Sequence, residues 1–440
     1  MSELETPAGL DPSLERPRLR PLNARRIDHQ GQAFVMLQDP AGVVAQSVLI
    51  PLDGYARFFR HFDGQSTLSE IQARALQETG QFVPMKDLLD LVRQLDEAMI
   101  LDGPAFGLFL EQYRQGRQRP AAMAGRSYSG SLRALQAQLE QLFVGRNGSG
   151  APAIEATPRP DGFRGILSPH IDFHRGGPVY TWSYRELVEK SPATTFVILG
   201  VAHQYCRRRF ALTYKDFETP LGVARTDRAY VDALAAIAGR DLFDDELVHR
   251  TEHSIEFQVV FLQYLLGGRR DFSIVPILVG SFHDLMESGL DPIADPEVAR
   301  FLSALQTVEA SRGRSVAYIG GIDLCHVGPE FGDTHPVDPI LQEQLRRFDR
   351  EMLDRAASGD AVGWFRTAGA IGNRWRVCGL AATYTFLHAI GPAQGRLLRY
   401  DQAIDARRTC CVTFASMAFQ ASEPALPPES AALGHVAPTS

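Results

Sequence analysis

The pattern of apolar and polar positions along the chain contains three short apolar runs, each leading into a side chain that can bind a metal. Residues 164–169 lead into His170, residues 195–200 lead into Val201-Ala202-His203, and residues 315–321 lead into Asp323-Leu324-Cys325-His326. Short apolar runs of this kind are typical of strands buried on both faces of a sheet. Because functional groups gather beyond the carboxyl ends of strands in an open α/β sheet, the pattern predicts that His170, His203 and Cys325 meet at one site.

The same pattern divides the chain into segments. From residue 121 to about 420, apolar strands alternate with amphipathic helices, which predicts an α/β domain with a central sheet flanked by helices. Residues 31–103 predict a small α+β winged-helix domain, and residues 104–120 predict a linker. Residues 1–30 and 421–440 are polar and contain several prolines, so we expect a flexible N-terminus and a disordered tail.

The winged-helix prediction depends on two strands, three helices and a final short strand. The first two strands are expected at residues 33–37 and 47–50, and residues 67–70 form the Thr-x-x-Glu capping box that starts a helix. The last helix, at residues 85–98, carries more acidic than basic side chains, which is poorly suited to DNA phosphates. A purely structural cap on the main domain is one alternative for this domain.

Composition limits the class of protein. The 440 residues carry a formal net charge of −7, which argues against nucleic acid as a partner. Five cysteines, an odd number spread along the chain, do not suggest a disulfide framework and indicate a reducing compartment. The sequence lacks the apolar core of a signal peptide and any run long enough to span a bilayer. We therefore expect a cytoplasmic protein with no membrane partner.

The three strand-end residues form a donor set with a recognisable preference. Two imidazoles and one thiolate suit iron, copper or zinc, and three protein ligands leave an open position on the ion. We expect His170, His203 and Cys325 to hold a divalent or redox metal ion, most readily iron or copper, with zinc as an option. The remaining cysteines near the C-terminus, Cys378, Cys410 and Cys411, are expected to be small buried residues.

Further chemistry is expected from His253, Glu256 and Asp323. The first two are three residues apart near the start of a predicted helix, so they would share one helical face. Such a pair is suited to proton transfer beside a metal, because an imidazole titrates near neutral pH. The third either orients an imidazole or closes a turn at the end of a strand.

A series of short motifs in a fixed order resembles the Memo-like family, whose prokaryotic members are called AmmeMemoRadiSam system protein B. The resemblance covers about residues 121–420, and residues 30–103 resemble the PqqD-like winged-helix modules. The motifs are Ser168-Pro169-His170, Gly200-Val201-Ala202-His203, Thr219-Pro220-Leu221-Gly222, residues 252–258, residues 274–280, Asp323-Leu324-Cys325-His326, Val377-Cys378-Gly379 and Tyr400-Asp401-Gln402.

The resemblance implies a fold similar to the class III extradiol dioxygenases of the LigB type. It also implies a metal held by two histidines and a cysteine, here matched to His170, His203 and Cys325, with His253 close to the metal. The implied partners are a radical SAM protein and an AMMECR1-like protein, and the PqqD-like module implies a peptide substrate. One departure is the sequence His170-Ile171-Asp172-Phe173-His174, which replaces the small glycine-bearing turn of the family.

Two functions of different class follow. The first is a metal-dependent oxidation or dioxygenase-like step at the His/His/Cys site. The second is a non-catalytic adaptor that binds a peptide or a modified protein in the former metal pocket. Hydrolysis by a zinc enzyme is a weaker third alternative.

Overall fold

The computed structural model describes residues 11–44, 46–52, 55–80, 82–154, 162–312 and 315–422. Its β-strands are β1 (Asn23–His29), β2 (Gln32–Gln38), β3 (Val48–Pro51), β4 (Gln118–Arg119), β5 (Phe163–Ser168), β6 (Thr195–Val201), β7 (Phe210–Leu212), β8 (Asp216–Thr219), β9 (Gly222–Ala224), β10 (Ser273–Val279), β11 (Val316–Gly321), β12 (His326–Val327), β13 (Ala393–Ile404) and β14 (Cys411–Ala421).

The helices cover both faces of the main sheet and connect its strands. The α-helices are α1 (Leu68–Thr79), α2 (Met85–Glu97), α3 (Pro104–Gln115), α4 (Leu132–Val144), α5 (Phe173–Lys190), α6 (Arg228–Ala238), α7 (Glu256–Leu266), α8 (His283–Glu287), α9 (Pro296–Ala310), α10 (Pro339–Ala357), α11 (Ala361–Gly369) and α12 (Leu380–Ala389). Short 3-10 helices lie at Pro12–Glu15, Tyr55–His61, Arg240–Phe243, Glu246–Arg250, Pro292–Ala294 and Pro329–Phe331.

The central sheet is mixed, as expected for an α/β domain. In the described residues its strand order is β12-β14-β5-β11-β6-β10-β7, with β13 paired to β14. The four strands β5, β11, β6 and β10 are parallel, and the register places Gly321 of β11 opposite both Ser168 of β5 and Gly200 of β6. The segments that follow these strands therefore start from the same edge of the sheet, which is the edge where ligands bind in open α/β folds.

Strand β6 shows why the apolar runs form buried strands. All seven of its residues are buried, and they alternate between two hydrophobic cores. Val197 and Leu199 pack in the core on one face, and Phe196 and Ile198 pack in the core on the other. Alternate residues of a strand point to opposite faces, so a strand covered by helices on both sides has to be apolar throughout. The predicted central sheet flanked by helices is confirmed.

Residues 11–103 form a compact unit that we call the N-terminal module. Strands β1, β2 and β3 make an antiparallel sheet, and α1 begins at the predicted capping box, where Thr67 and Glu70 bond each other's backbone amides. Residues 11–30 were expected to be flexible, but they contain a 3-10 helix and β1. Leu14 is buried in the core of the module, so this segment has an apolar anchor that composition did not indicate. Residues 1–10 lie outside the described residues.

The expected linker at residues 104–120 contains helix α3 and strand β4. Helix α3 begins with Pro104 at its first turn, a position that tolerates proline because its amide needs no partner there. At the C-terminal end of the helix, the Lys215 ammonium donates to the backbone carbonyls of Tyr113 and Gly116, at 2.5 and 2.6 Å. The segment is therefore packed against the main domain. At the other end, β14 runs to Ala421, and residues 423–440 of the expected tail lie outside the described residues.

None of the helices in the described part of the chain is long and apolar enough to cross a lipid bilayer.

Candidate metal centre

Three histidines from separate parts of the chain come together at the carboxyl edge of the sheet. His170 follows β5, His203 follows β6, and His253 lies between the 3-10 helix that ends at Arg250 and the start of α7. One nitrogen from each ring lies within 4.8 Å of the others, and the ring centroids are 4.8 to 5.2 Å apart. We call these three residues the histidine cluster.

The third histidine reaches the cluster because its segment is tied to the strand ends. The Ser254 hydroxyl donates to the Val201 carbonyl at 2.9 Å, and the Gln258 amide donates to the Pro169 carbonyl at 2.7 Å. This approach requires a glycine in β11, since a Cβ on Gly321 would stand 2.5 Å from the Ser254 carbonyl. The strand end therefore has space for the loop that carries the histidine.

His170 is the most buried member of the cluster. Its Nδ1 lies 2.9 Å from the Gly321 carbonyl, and its backbone amide donates to Asp323 Oδ1 at 3.0 Å. Burial lowers the pKa of His170 well below its usual value, and the neighbouring His203 and His253 lower it further. A neutral ring whose Nδ1–H bonds a carbonyl presents the lone pair of Nε2, which is the form of histidine that binds metals.

Glu252 orients the other two histidines. Both of its carboxylate oxygens lie 3.1 Å from His203 Nδ1, and Oε1 lies 3.2 Å from His253 Nδ1. The same carboxylate accepts the backbone amides of His203, His253 and Ser254 at 2.8 to 3.0 Å. One buried side chain therefore fixes two ring orientations and leaves each Nε2 as the atom available to a ligand.

The charge of Glu252 is stabilised by its partners. Burial alone would raise the pKa of this carboxyl, but His203 and His253 outweigh burial and hold its pKa well below the usual value. In turn, burial opposes protonation of His203, and Glu252 overcomes it and raises the pKa of His203 well above the usual value. The negative charge beneath the rings favours a cation at the cluster, either a proton on His203 or a metal ion whose binding releases that proton.

A cysteine joins the cluster from the loop before α12. The Sγ atom of Cys378 lies 3.4 Å from His170 Nε2 and 3.5 Å from the carbonyl of Asp323. In this loop Asn373 and Arg376 both adopt positive φ angles, of 46° and 53°. Such backbone conformations cost energy in non-glycine residues and are concentrated at functional sites.

A cavity of about 380 Å³ opens beside the cluster. His203 and Cys378 form part of its wall together with His326, and most of the remaining lining is apolar. The exposed fraction of the histidine side chains rises from 2% at His170 to 30% at His253 and 37% at His203, the member that lines the cavity. The cluster can therefore be reached by a small molecule from one side.

The donors fit a transition-metal ion. Three imidazoles, each with Nδ1 bonded to a carbonyl or carboxylate, offer Nε2 atoms, and the thiol of Cys378 adds a sulfur donor. Nitrogen and sulfur ligands of this kind suit iron, copper and zinc, and do not suit magnesium or calcium, which prefer oxygen.

Comparison with known proteins identifies the family. A family model described as "Memo-like protein" matches residues 119–418, which is more than half of the chain. The chain belongs to the Memo-like family. A MEMO1 family protein of Aquifex aeolicus is 28% identical over 397 residues, covering 88% of this chain and 96% of the relative. MEMO1 family proteins of Thermus thermophilus and Methanopyrus kandleri are each 30% identical, over 342 and 295 residues, and cover 77% and 66% of this chain and 95% and 93% of those relatives. The resemblance inferred from the motifs is thus confirmed.

The expectation for Cys325 requires a correction in this Memo-like chain. Its thiol is fully buried and donates to Asp349 Oδ1 at 3.1 Å, away from the histidine cluster. The reason is local pairing, because the backbone on both sides of Cys325 bonds Thr413 in β14. That pairing turns the thiol into the hydrophobic core, so the cysteine beside the histidines is Cys378 and not Cys325.

Glu256 also lies elsewhere than expected. Helix α7 begins at Glu256, so His253 precedes the helix and the two residues do not share a helical face. The carboxylate of Glu256 is fully buried, forms an ion pair with Arg119, and accepts a hydrogen bond from the Tyr128 hydroxyl. It also accepts the amides of residues 122 and 123, which makes it a structural anchor for the segment after β4.

Asp323 does lie against the cluster. In addition to the amide of His170, its Oδ2 lies 3.7 Å from His170 Nε2. Burial raises the pKa of Asp323 to about 6, although nearby His326 and the amide of His170 favour the charged form. Its hydrogen bond comes from the backbone of His170 and not from the ring, so orientation of an imidazole by Asp323 stays a prediction.

The sequence interpretation missed Glu252 and misjudged Cys378. Glu252 directly precedes His253, and a carboxylate next to a candidate ligand is the usual signal of a group that orients it. Cys378 stands in the motif Val377-Cys378-Gly379, one of the motifs of the family resemblance. The motif could have singled it out, but the distance to His170 depends on the tertiary fold.

Proposed function

We propose that this Memo-like chain binds a transition-metal ion at the histidine cluster and uses it in an oxidation reaction. His170, His203 and His253 would supply imidazole nitrogens and Cys378 a thiolate. The observation that carries the proposal is the convergence of three rings whose Nδ1 atoms are already bonded to Gly321 or Glu252. That arrangement fixes the tautomer a metal requires.

Iron or copper fits the proposed reaction best, because each would supply the capacity to exchange electrons that the side chains lack. The protein's own contribution is to hold the donors and to shield the site. His170 and Asp323 are almost completely buried on the inner side, and His203 faces the cavity. A substrate entering the cavity would meet mostly apolar walls together with the side chains of His326 and Arg376.

A non-catalytic adaptor is the second candidate, and the cavity is the observation that favours it. Its mostly apolar lining and its volume of about 380 Å³ suit one side chain or a short stretch of peptide. In this alternative the histidines bind a modified side chain directly.

For both candidate functions we also propose the features that the resemblance implies. These are a LigB-type dioxygenase fold, a PqqD-like winged-helix module, and radical SAM and AMMECR1-like partners.

The test is metal analysis of full-length protein purified without oxygen and without added metal. We expect near-stoichiometric iron or copper in the wild type and in His174→Ala, and background metal in His170→Ala. His174 is the matched control, since it is an exposed histidine on α5 only four residues away. Zinc in place of iron or copper would contradict the oxidation, and the absence of metal from folded wild-type protein would leave the adaptor.

His253→Ala separates two roles for that residue. If His253 is a ligand, the variant loses most of its metal, as His170→Ala does. Retained metal with impaired oxygen consumption would instead support the acid–base role predicted from the sequence.

A further inference from the structure

The N-terminal module touches the segment that carries Glu252 and His253. A turn at residues 39–42, between β2 and β3, presents its backbone carbonyls to the two residues just before Glu252. Arg250 Nη1 donates to the carbonyls of Ala41 and Gly42 at 2.9 and 2.5 Å, and the Thr251 hydroxyl donates to the Pro40 carbonyl at 3.2 Å. We call this turn the 39–42 turn.

The 39–42 turn is rigid within its own module. Asp39 accepts the amides of Ala41 and Val44, both at 2.9 Å, and forms a nearly fully buried ion pair with Arg20. Arg20 also donates to the Met99 carbonyl at 2.6 Å, which links the turn to the end of α2. A turn held this firmly can act as a fixed surface for a partner.

The contact continues to the histidine cluster through hydrogen bonds. Thr251 accepts a hydrogen bond from the Gln204 side chain at 2.6 Å while it donates to Pro40. Gln204 directly follows His203, and Thr251 directly precedes Glu252. The Thr251 hydroxyl therefore links the N-terminal module to a residue next to His203 and lies itself next to Glu252. Arg119 supports the same segment from the other side by donating to the carbonyl of Glu252 at 2.6 Å.

We propose that the N-terminal module is a positioning element of the metal centre and that Arg250 and Thr251 are its positioning residues. The module holds the backbone next to Glu252, and Glu252 in turn holds the rings of His203 and His253. The expected effect on metal binding rests on the proposed metal site, but the hydrogen bonds that link the module to the cluster do not require a metal.

Two glycines of the module provide a matched pair of variants. Gly42 has a φ of +62°, and an added Cβ would stand 3.0 Å from both Arg250 Nη1 and Thr251 Cγ2. Gly31, in the β1–β2 hairpin, has a φ of +81°, and an added Cβ would meet no described atom within 4 Å. Both substitutions by alanine introduce the same kind of backbone strain, but Gly42→Ala also disturbs the contact with Arg250.

The first measurement is the affinity of the full-length variants for Co²⁺, together with the visible absorption of the bound ion. We expect Gly42→Ala to bind about threefold to tenfold more weakly than the wild type and to shift the absorption bands. Thr251→Val, which keeps the shape of the side chain, should act in the same direction. Gly31→Ala should match the wild type, and an equal loss in both glycine variants would overturn the proposal.

The second measurement needs no metal. The amides of His203, His253 and Ser254 donate to Glu252, so their hydrogen exchange reports the position of that carboxylate. Gly42→Ala should speed their exchange in the apoprotein, and Gly31→Ala should not. If wild-type protein binds no Co²⁺ but the exchange still differs, the metal function fails and the positioning role stands. Unchanged exchange in Gly42→Ala would refute the positioning role.

Discussion

Two groups of polar side chains lie near the end of β11, and they differ in how their hydrogen bonds are used. In the first, Cys325 and Tyr400 both donate to the carboxyl group of Asp349, at 3.1 and 2.8 Å. We call these three residues the Cys325 group. Its members bond one another within the core. In the histidine cluster, each ring uses Nδ1 for a bond to a carbonyl or carboxylate of the protein, and its Nε2 is the atom available to a ligand.

The difference shows what distinguishes a ligand site from a stabilising polar group. Both groups contain a buried carboxyl group, Asp349 in one and Glu252 in the other. Among the described residues, the hydrogen-bond partners of Asp349 include no cation, and burial raises the pKa of Asp349 to about 6. Glu252 lies under two imidazoles that hold its pKa well below the usual value. A buried carboxylate that stays charged and a set of uncommitted nitrogens together indicate a cation site.

The strongest test of this comparison uses two glutamates four residues apart. Glu256 belongs to a stabilising polar group, because its buried carboxylate pairs with Arg119. Glu256→Gln should destabilise the fold by about 3–5 kcal/mol, since it leaves a buried charge unpaired. Chemical denaturation measures this loss.

Glu252→Gln should instead weaken metal binding at the histidine cluster. We expect metal affinity to fall by about tenfold to a hundredfold, because the group that orients His203 and His253 loses its charge. Metal titration of both glutamate variants checks the distinction. A reversed outcome, with Glu256→Gln weakening metal binding more than Glu252→Gln, would remove the difference between the two groups.

The pH dependence of stability sharpens the comparison next. The folded pKa of Asp349 is about 6, above the unfolded value of about 3.9, so the folded state binds the proton more tightly. The contribution of Asp349 to stability should therefore fall as pH rises from about 4 to about 6, and the loss of about 2–3 kcal/mol should persist above that window. Asp349→Asn lacks this carboxyl, so relative to the wild type it should gain that amount over the same range.

Urea unfolding at several pH values between 4 and 7, about one unit apart, measures this difference. Tyr400→Phe is the companion variant, since it keeps the carboxyl but removes a hydrogen bond that lowers its pKa. The pH range over which this carboxyl costs stability should therefore lie at higher pH in Tyr400→Phe than in the wild type. Parallel stability curves for the wild type and Asp349→Asn would mean that the Cys325 group holds no proton near pH 5.

The smallest expected effect separates the two cysteines. Cys378→Ser should weaken Co²⁺ binding by about tenfold and remove the near-ultraviolet absorption of a metal thiolate, because a soft donor is lost. Cys325→Ser should leave the affinity and the spectrum unchanged and cost about 1 kcal/mol of stability. If Cys325→Ser abolished the thiolate absorption, the expectation drawn from the sequence would be right and the placement of Cys378 would lose its significance.

The comparison also explains how far the sequence could be interpreted. The apolar runs before His170 and His203 predict strands that end at one edge, because burial on both faces leaves a direct mark on a sequence. Cys325 also follows a strand of this edge, four residues after the end of β11 where the two histidines follow theirs by two, and its direction is set by Thr413, a residue 88 positions later. Such long-range pairing leaves no local pattern, so residue type and position alone chose the wrong cysteine to lie beside the histidines.

The N-terminal region shows the converse limit. Strand β1 spans Asn23–His29 and contains two arginines, an aspartate and a histidine, so it carries little of the hydrophobic signal expected of a strand. It is an edge strand with mostly exposed side chains, which allows polar residues. Composition alone therefore predicted flexibility where pairing with β2 produces a strand.

The contact between the 39–42 turn and Arg250 has a consequence during synthesis of the protein. The partners of the turn lie 208 to 211 residues later in the chain. At about 5–20 residues per second, the ribosome delivers them roughly 10–40 s after the turn itself. The module can fold as a unit in that interval, and the carbonyls of the 39–42 turn are hydrated until their partners are synthesised. The segment around Glu252 therefore receives this support late in biogenesis, and a nascent chain stalled before residue 250 would carry a folded module with no site to position.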